Sequence, residues 1–289
     1  MTRETRIEVL LYLVITLSIS CGIMFAYAYG PSFMAQHFGR LGPGAFMYVL
    51  MTAAANLTAL GLTLWKEGFR GCANLLIRTF DPRGPIKWWA IVLLGYPFLL
   101  LVYELISELF TLTLGVGTPG LQLERWFVGI PLFFYTFGPG RTGPLLEDAG
   151  WRGYLLPRLL ESMSPLGAAI VGGVFWGLLH MPLFLALPGG YRGAPGTIVL
   201  TTVFHSIAMT WVFMNTSGNV FLSGVLVHAI SNAAGQAGFP GDMRLVIFGL
   251  TAFALIWRYG EALRPAGAAR FVHRRHYRLV PRPTDSGLP

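Results

Sequence analysis

Residues 9–29 read VLLYLVITLSISCGIMFAYAY, from Val9 to Tyr29, without one charged side chain. At a rise of about 1.5 Å per residue, such a run crosses a hydrocarbon core of roughly 30 Å as an α-helix. No water reaches that depth, so the backbone must satisfy itself within a helix or a closed barrel. A barrel strand would alternate polar and apolar residues, and this run does not. Arg3 and Arg6 precede it, and Ala26-Tyr27-Ala28 looks like a signal-peptidase site. The apolar core is nevertheless longer than a secretory h-region, so it reads as a retained first helix.

Working outward, the same pattern recurs. Ala45 to Trp65 is a second uncharged span, followed by Lys66, Arg70, Arg78, Arg83 and Lys87 in what reads as a connecting loop. A third begins at Trp88-Trp89 and runs uncharged to Tyr103; Glu104 and Glu108 then mark its membrane-exit end. Trp126 to Phe137 is too short to span. The Gly138 to Pro144 segment interrupts it, and Trp126 to Leu160 reads as one broken fourth helix. Leu166 to Leu187, Gly196 to Met214, Val220 to Ala237 and the short Leu245 to Trp257 complete the set. The prediction is an all-α, polytopic membrane helical bundle of about eight transmembrane helices. It forms a single integral membrane domain over 1–264, with a core over about 126–237 and a basic tail over 265–289.

Composition agrees. Charged residues are 12% and hydrophobic residues 54% of the 289, against about 25% charged in a soluble domain. The net charge of +8 would suggest nucleic acid in a soluble protein. Here the arginines flank apolar runs and crowd the C-terminus, so membrane lipid headgroups are the expected partner and nucleic acid is not. Cys21 and Cys72, in an apolar run and a basic loop, are read as unpaired. With eight spans and the N-terminus inside, fourteen Lys and Arg fall inside against four outside (Arg40, Arg125, Arg192, Arg244), leaving aside the segment around residue 147. The positive-inside rule therefore predicts both termini cytoplasmic, in an integral membrane protein expected in a bacterial plasma membrane.

Against this background Leu146-Glu147-Asp148-Ala149-Gly150-Trp151-Arg152-Gly153 stands out. On a helix, Asp148 and Arg152 pair at i, i+4 while Glu147 points elsewhere. A carboxylate kept in a low-dielectric site is a candidate base; the plainer reading is an ion-pair cluster tying two helices together. Three of the six histidines, His180, His205 and His228, lie within spans. His205 reads as a satisfied interhelical hydrogen bond. His228 shares a helix face with Asn232, which alone would read as packing glue. Together these residues support hydrolysis, with Glu147 and His180 activating water and His228 and Asn232 donating to an oxyanion. Alternatively Glu147, His180 and His228 are three ligands for zinc or another divalent metal. Ser162, Ser206 and Ser231 lack a nucleophile-elbow context.

The motifs resemble those of the type II CAAX prenyl endopeptidase family, also called the CPBP family of intramembrane proteases. Its Glu-Glu-x-x-x-Arg is matched by Glu147-Asp148-Ala149-Gly150-Trp151-Arg152. Its Phe-x-x-x-His is matched by Trp176 to His180, and its His-x-x-x-Asn/Asp by His228 to Asn232. Two positions depart: Asp148 is one methylene short, and Trp176 replaces a phenylalanine, a change expected to alter only pocket shape. The resemblance implies a cytoplasm-facing proteolytic site, with Glu147 and His180 activating water and His228 and Asn232 holding the oxyanion. It also implies a peptide or lipidated protein substrate. With the N-terminus inside, His180 would lie roughly 20 Å into its span by helix rise. No cofactor is favoured, because Asn232 is a poor zinc ligand. The alternatives are a non-catalytic scaffold or bacteriocin-immunity factor, and a proton-coupled transporter. Transporters usually carry internal repeats, and none is read here.

Overall fold

A computed structural model describes residues 2–115, 122–137, 143–186, 195–239 and 241–265. All regular structure among them is helical: α1 (Arg3–Tyr29), α2 (Pro31–Phe38), α3 (Phe46–Thr79), α4 (Ile86–Leu114), α5 (Leu123–Tyr135), α6 (Gly143–Asp148), α7 (Leu156–Leu159), α8 (Pro165–His180), α9 (Leu183–Ala186), α10 (Pro195–Asn215), α11 (Val227–Gln236) and α12 (Gly241–Tyr259). Two π-helical stretches, Ala149–Leu155 and Phe221–Leu226, join α6 to α7 and lead into α11. The 138–142 interruption, Pro188-Gly189-Gly190 and the tail beyond residue 265 lie outside the described residues.

Six described helices are long and apolar enough to cross a membrane. The fourth and seventh expected spans are the interrupted ones, in which no unbroken α-helix is as long as a bilayer is thick. Eight passages thus remain consistent with the fold, six of them continuous. The basic segment after Trp65 is not a loop: α3 continues to Thr79 past Gly68, whose φ of 66° breaks the winding. The reason is packing. Leu75 and Thr79 are buried, and a Cβ on Gly153 would stand 2.9 Å from Leu75. Lys66 meanwhile reaches back to Glu4 and Glu8 at 2.6 Å each. Glu104 also departs from expectation. It is 1% exposed inside α4, accepts from Trp126 Nε1 at 2.7 Å and lies 4.0 Å from Arg125. It is an interhelical tie, not a membrane exit.

Small residues let α8 and α10 touch. A Cβ on Gly173 would lie 2.5 Å from Val203 Cα, and one on Gly177 would lie 2.8 Å from Val199 Cα. Such small-residue contacts replace hydrophobic exclusion as the packing device in lipid. They also fix the two helices antiparallel. Arg158 Nε donates to Glu8 at 2.7 Å, Thr5 donates to Glu161 at 2.8 Å, and Asn215 donates to the Leu263 carbonyl at 2.9 Å. The start of α1, the end of α7, the end of α10 and the chain after α12 therefore share one end of the bundle.

Candidate active site

Glu147 and Asp148 close α6, where α-helical winding gives way to the π-helical stretch that carries Arg152. The junction is clamped from α3. Asn56 Nδ2 donates to the Leu145 carbonyl at 2.8 Å, and its Oδ1 accepts from Gly150 N at 2.8 Å. One side chain thus satisfies two backbone groups on either side of the carboxylates. Gly150 is needed for the approach, since a Cβ there would sit 2.4 Å from the Ala55 carbonyl oxygen. π-Helical turns need such outside partners and occur often at functional sites.

Asp148 is fully buried and divides its carboxylate. Oδ1 faces Arg152 Nη1 at 3.1 Å, the pairing expected from the i, i+4 spacing, and Oδ2 accepts from His228 Nδ1 at 3.1 Å. The carboxylate is admitted because Gly224 faces it; a Cβ there would lie 3.0 Å from Asp148 Cβ. The Arg152 guanidinium also lies 4.2 Å over the Trp176 ring. With Nδ1 committed to Asp148, His228 turns its Cε1–Nε2 edge toward Gly143, which Glu147 also borders. A Cβ placed on Gly143 would meet Glu147 Oε1 at 3.0 Å and His228 Nε2 at 3.5 Å, so both atoms border one point.

Trp176 is the hub. Its indole Nε1 donates to Glu147 Oε2 at 2.9 Å, and its ring makes edge contacts with His228 (5.0 Å between centroids) and His180 (6.1 Å). The expectation that tryptophan changes only pocket shape is therefore corrected: phenylalanine has no N–H to hold the carboxylate. His180 ends the 16-residue α8, with Nδ1 2.7 Å from the Trp176 carbonyl. His180 and His228 thus both make edge contacts with one ring. Asn232 is half-buried, one turn beyond His228 on α11. No hydrogen bond joins it to the other site residues among the described contacts.

His205 does more than expected. It is buried, stacked on Phe248 at 4.1 Å and 5.4 Å from the Trp176 ring, yet its Nε2 lacks a hydrogen-bond partner among the described residues. It reaches the Val227 backbone of the neighbouring helix, as an interhelical tie does, and also forms a wall of the site. Asn56, Trp176 and His205 were the functional candidates sequence reasoning passed over. Only the tryptophan carried a signal, as a donor-bearing ring in a motif position.

The zinc alternative requires Glu147, His180 and His228 to gather around one ion. No three His, Cys, Asp or Glu side chains among the described residues are so arranged. His180 turns Nδ1 to its own helix and His228 turns Nδ1 to Asp148, which leaves Nε2 as the nitrogen each ring presents to the site. The family model described as Type II CAAX prenyl endopeptidase Rce1-like matches residues 129–234, from α5 through α11. No curated protein matches the chain.

Proposed function

We propose, from the match of residues 129–234 to the Rce1-like type II CAAX prenyl endopeptidase model, that the chain is an intramembrane endopeptidase hydrolysing a peptide bond with Glu147 and His228 as its working pair. The observation that carries this reading is the shared approach of Glu147 Oε1 and His228 Nε2 to one position beside Gly143, backed by Asp148 on the far side of the imidazole. Glu147 accepts a proton from water as the water oxygen bonds to the scissile carbonyl carbon. With Nδ1–H donating to the Trp176 carbonyl, His180 presents Nε2 as a second acceptor for that water. With its Nδ1 side held by Asp148, His228 faces the oxyanion with its Nε2 edge. Asn232 adds an amide donor to the oxyanion. Glu147 then returns the proton to the departing amide nitrogen as the C–N bond breaks, leaving a carboxyl and an amine terminus.

The substrate in this reading is lipidated. An apolar groove of about 230 Å³ runs beside α11, lined by Leu93, Pro97, Leu100 and Phe133 and by Ile230, Ala233 and Ala234 of the helix that carries His228. It suits an isoprenoid or acyl chain. The fourteen-to-four basic bias favours cytoplasmic termini. His180 lies fifteen residues on from the start of α8, roughly 22 Å from the end that carries the termini. Cytoplasmic termini therefore put the site in the outer half of the bilayer, contrary to the cytoplasm-facing site the resemblance implies.

The test is hydrolysis in proteoliposomes. Wild-type protein is expected to cleave S-farnesylated peptides, with the unlipidated versions cleaved more slowly. Glu147→Gln is expected to stop turnover while retaining the wild-type melting profile. Equal turnover by wild type and Glu147→Gln would remove the proposed base.

A further inference from the structure

Residues 69–87 lie at the end of the bundle that holds the chain termini, and no step of the proposed hydrolysis uses them. At Gly68, with φ 66° and ψ −169°, the chain leaves the winding of α3 and turns back. Cys72 Sγ donates to the Leu60 carbonyl at 3.4 Å, whereas twelve residues of straight helix would part the two by about 18 Å. A Cβ on Gly71 would meet Thr63 Cγ2 at 2.9 Å. Residues 69–79 are thus folded against the first part of α3, next to the level at which Lys66 meets Glu4 and Glu8 of α1.

The inner face of this segment is Gly71, Leu75 and Thr79, all buried and one turn apart. The outer face mixes bases with large apolar side chains. Phe69 and Ile86 are 84% and 83% exposed, and Ile77 and Phe80 are exposed between them. Arg70 and Lys87 are exposed and form no ion pair among the described residues, and Arg83 is exposed and pairs with Asp81 of the same loop at 2.7 Å. From Lys66 to Lys87 five bases stand against two acids, Glu67 and Asp81. Arg3 and Arg6 are exposed at the same end. Trp65 and Trp89 flank the stretch, as interfacial tryptophans do. A soluble anion would satisfy the bases but not the apolar side chains beside them. Phosphate and acyl chain together fit both, the pattern of a helix lying in the headgroup layer.

The segment also reaches the candidate active site. A Cβ on Gly153 would stand 2.9 Å from Leu75 Cδ1, so residues 69–79 abut the π-helical stretch that carries Arg152. A Cβ on Gly84 would meet Leu222 Cδ1 at 2.7 Å. Asn219 Nδ2 donates to the Arg83 carbonyl at 2.8 Å and the Asp81 carbonyl at 3.2 Å, while its Oδ1 accepts from Leu222 N at 2.8 Å. Leu222 belongs to the π-helical stretch that leads into His228. One surface segment therefore braces both stretches, and these position the two partners of the Asp148 carboxylate.

We propose that residues 69–87 are a binding surface for anionic phospholipid of the adjacent leaflet, and that lipid held there keeps the segment seated on both π-helical stretches. The seated segment gathers its bases and exposed apolar side chains on one face. Lipid that binds this face favours the seated position over one loosened at Gly68, and thereby steadies Arg152 and His228. Only the effect on turnover rests on the endopeptidase reading; the lipid surface stands apart from it.

The test reads lipid preference first. Protein in nonionic detergent is given equal amounts of phosphatidylglycerol and phosphatidylcholine, and the lipid it retains is counted by native mass spectrometry. Phosphatidylglycerol is expected in at least about fivefold excess, since one base near a charged membrane surface typically contributes about that factor. Arg70→Gln with Lys87→Gln should bring the ratio toward one, while Arg70→Lys with Lys87→Arg, which keeps the charge, should preserve it. Hydrogen exchange in nanodiscs then reads the coupling. With phosphatidylglycerol in place of phosphatidylcholine, amides of 149–155 and 221–226 should exchange several-fold more slowly in the wild type and not in the double Gln variant. Turnover of an S-farnesylated peptide should rise several-fold with the phosphatidylglycerol fraction. Parity of the two lipids in the wild type, a preference unmoved by the Gln pair or lost in the charge-keeping pair, exchange at both π-helical stretches indifferent to the lipid, or turnover indifferent to it would each overturn the proposal. Lipid preference and slowed exchange without hydrolysis in either lipid would instead sustain the lipid surface and remove the endopeptidase reading.

Discussion

Replacing Asp148 with asparagine keeps the side-chain volume and removes the charge that two partners share. Asp148 is 0% exposed, and the Arg152 side chain is 4% exposed. Removing one member of a buried pair typically costs about 3–5 kcal/mol, because the other charge is left uncompensated. Asparagine keeps one oxygen for His228 Nδ1, and Arg152 keeps its contact with the Trp176 face, so the lower end of that range, about 3 kcal/mol, applies. At roughly 2–4 °C per kcal/mol for a chain of this size, the unfolding midpoint of the detergent-solubilised protein should fall by about 10 °C. Adding Arg152→Met to Asp148→Asn should recover much of that loss, since a neutral pair of similar volume is often tolerated where a lone charge is not. Melting curves of the wild type, the two single variants and the double variant give the coupling directly. No fall in Asp148→Asn, or a double variant as unstable as the two losses added, would refute the shared-carboxylate account.

Trp176→Phe restores the residue type of the family motif but deletes the donor to Glu147 Oε2. We expect kcat to fall on the order of tenfold with KM little changed, and unchanged kcat would show that the indole does not position the base. Asn56→Leu removes both bonds of the clamp and strands the Leu145 carbonyl and the Gly150 N–H. It should cost about 2–4 kcal/mol and suppress turnover, whereas a variant with wild-type melting and activity would remove the clamp from the account. For orientation, a cysteine introduced at exposed Arg3, at the end shared with the chain after α12, should stay protected from impermeant maleimide in intact cells. Labelling from outside would place the termini outside and the site toward the cytoplasm.

The spans were legible because lipid imposes a single requirement, a long uncharged helix, that composition states outright. The Asp148–Arg152 pair was legible because helical spacing brings the two side chains together whatever surrounds them. Other features depend on contacts that local sequence does not encode. Asn56 looks like one polar residue in an apolar helix, and its partners lie about ninety residues away. The change to π-helical winding at Ala149 and Phe221 leaves no mark in hydrophobic periodicity, because both stretches are buried almost all round. Glu104 looked like a membrane boundary because its hydrogen-bond donor Trp126 and its counter-charge Arg125 belong to another helix. The basic residues after Trp65 looked like a loop because their charge conceals an apolar face that α3 buries through Leu75.

Whether Glu147 acts on water or on the substrate itself is read most directly by isotope in a single turnover. Reconstituted enzyme in excess over an S-farnesylated peptide, in water enriched in oxygen-18, should place one heavy oxygen in the new C-terminal carboxylate of the first product formed. Glu147→Gln should yield no product. A first-turnover carboxylate carrying only light oxygen, with the label entering Glu147 in that turnover and reaching product only in later ones, would mean that the glutamate attacks the carbonyl, and would contradict the general-base account.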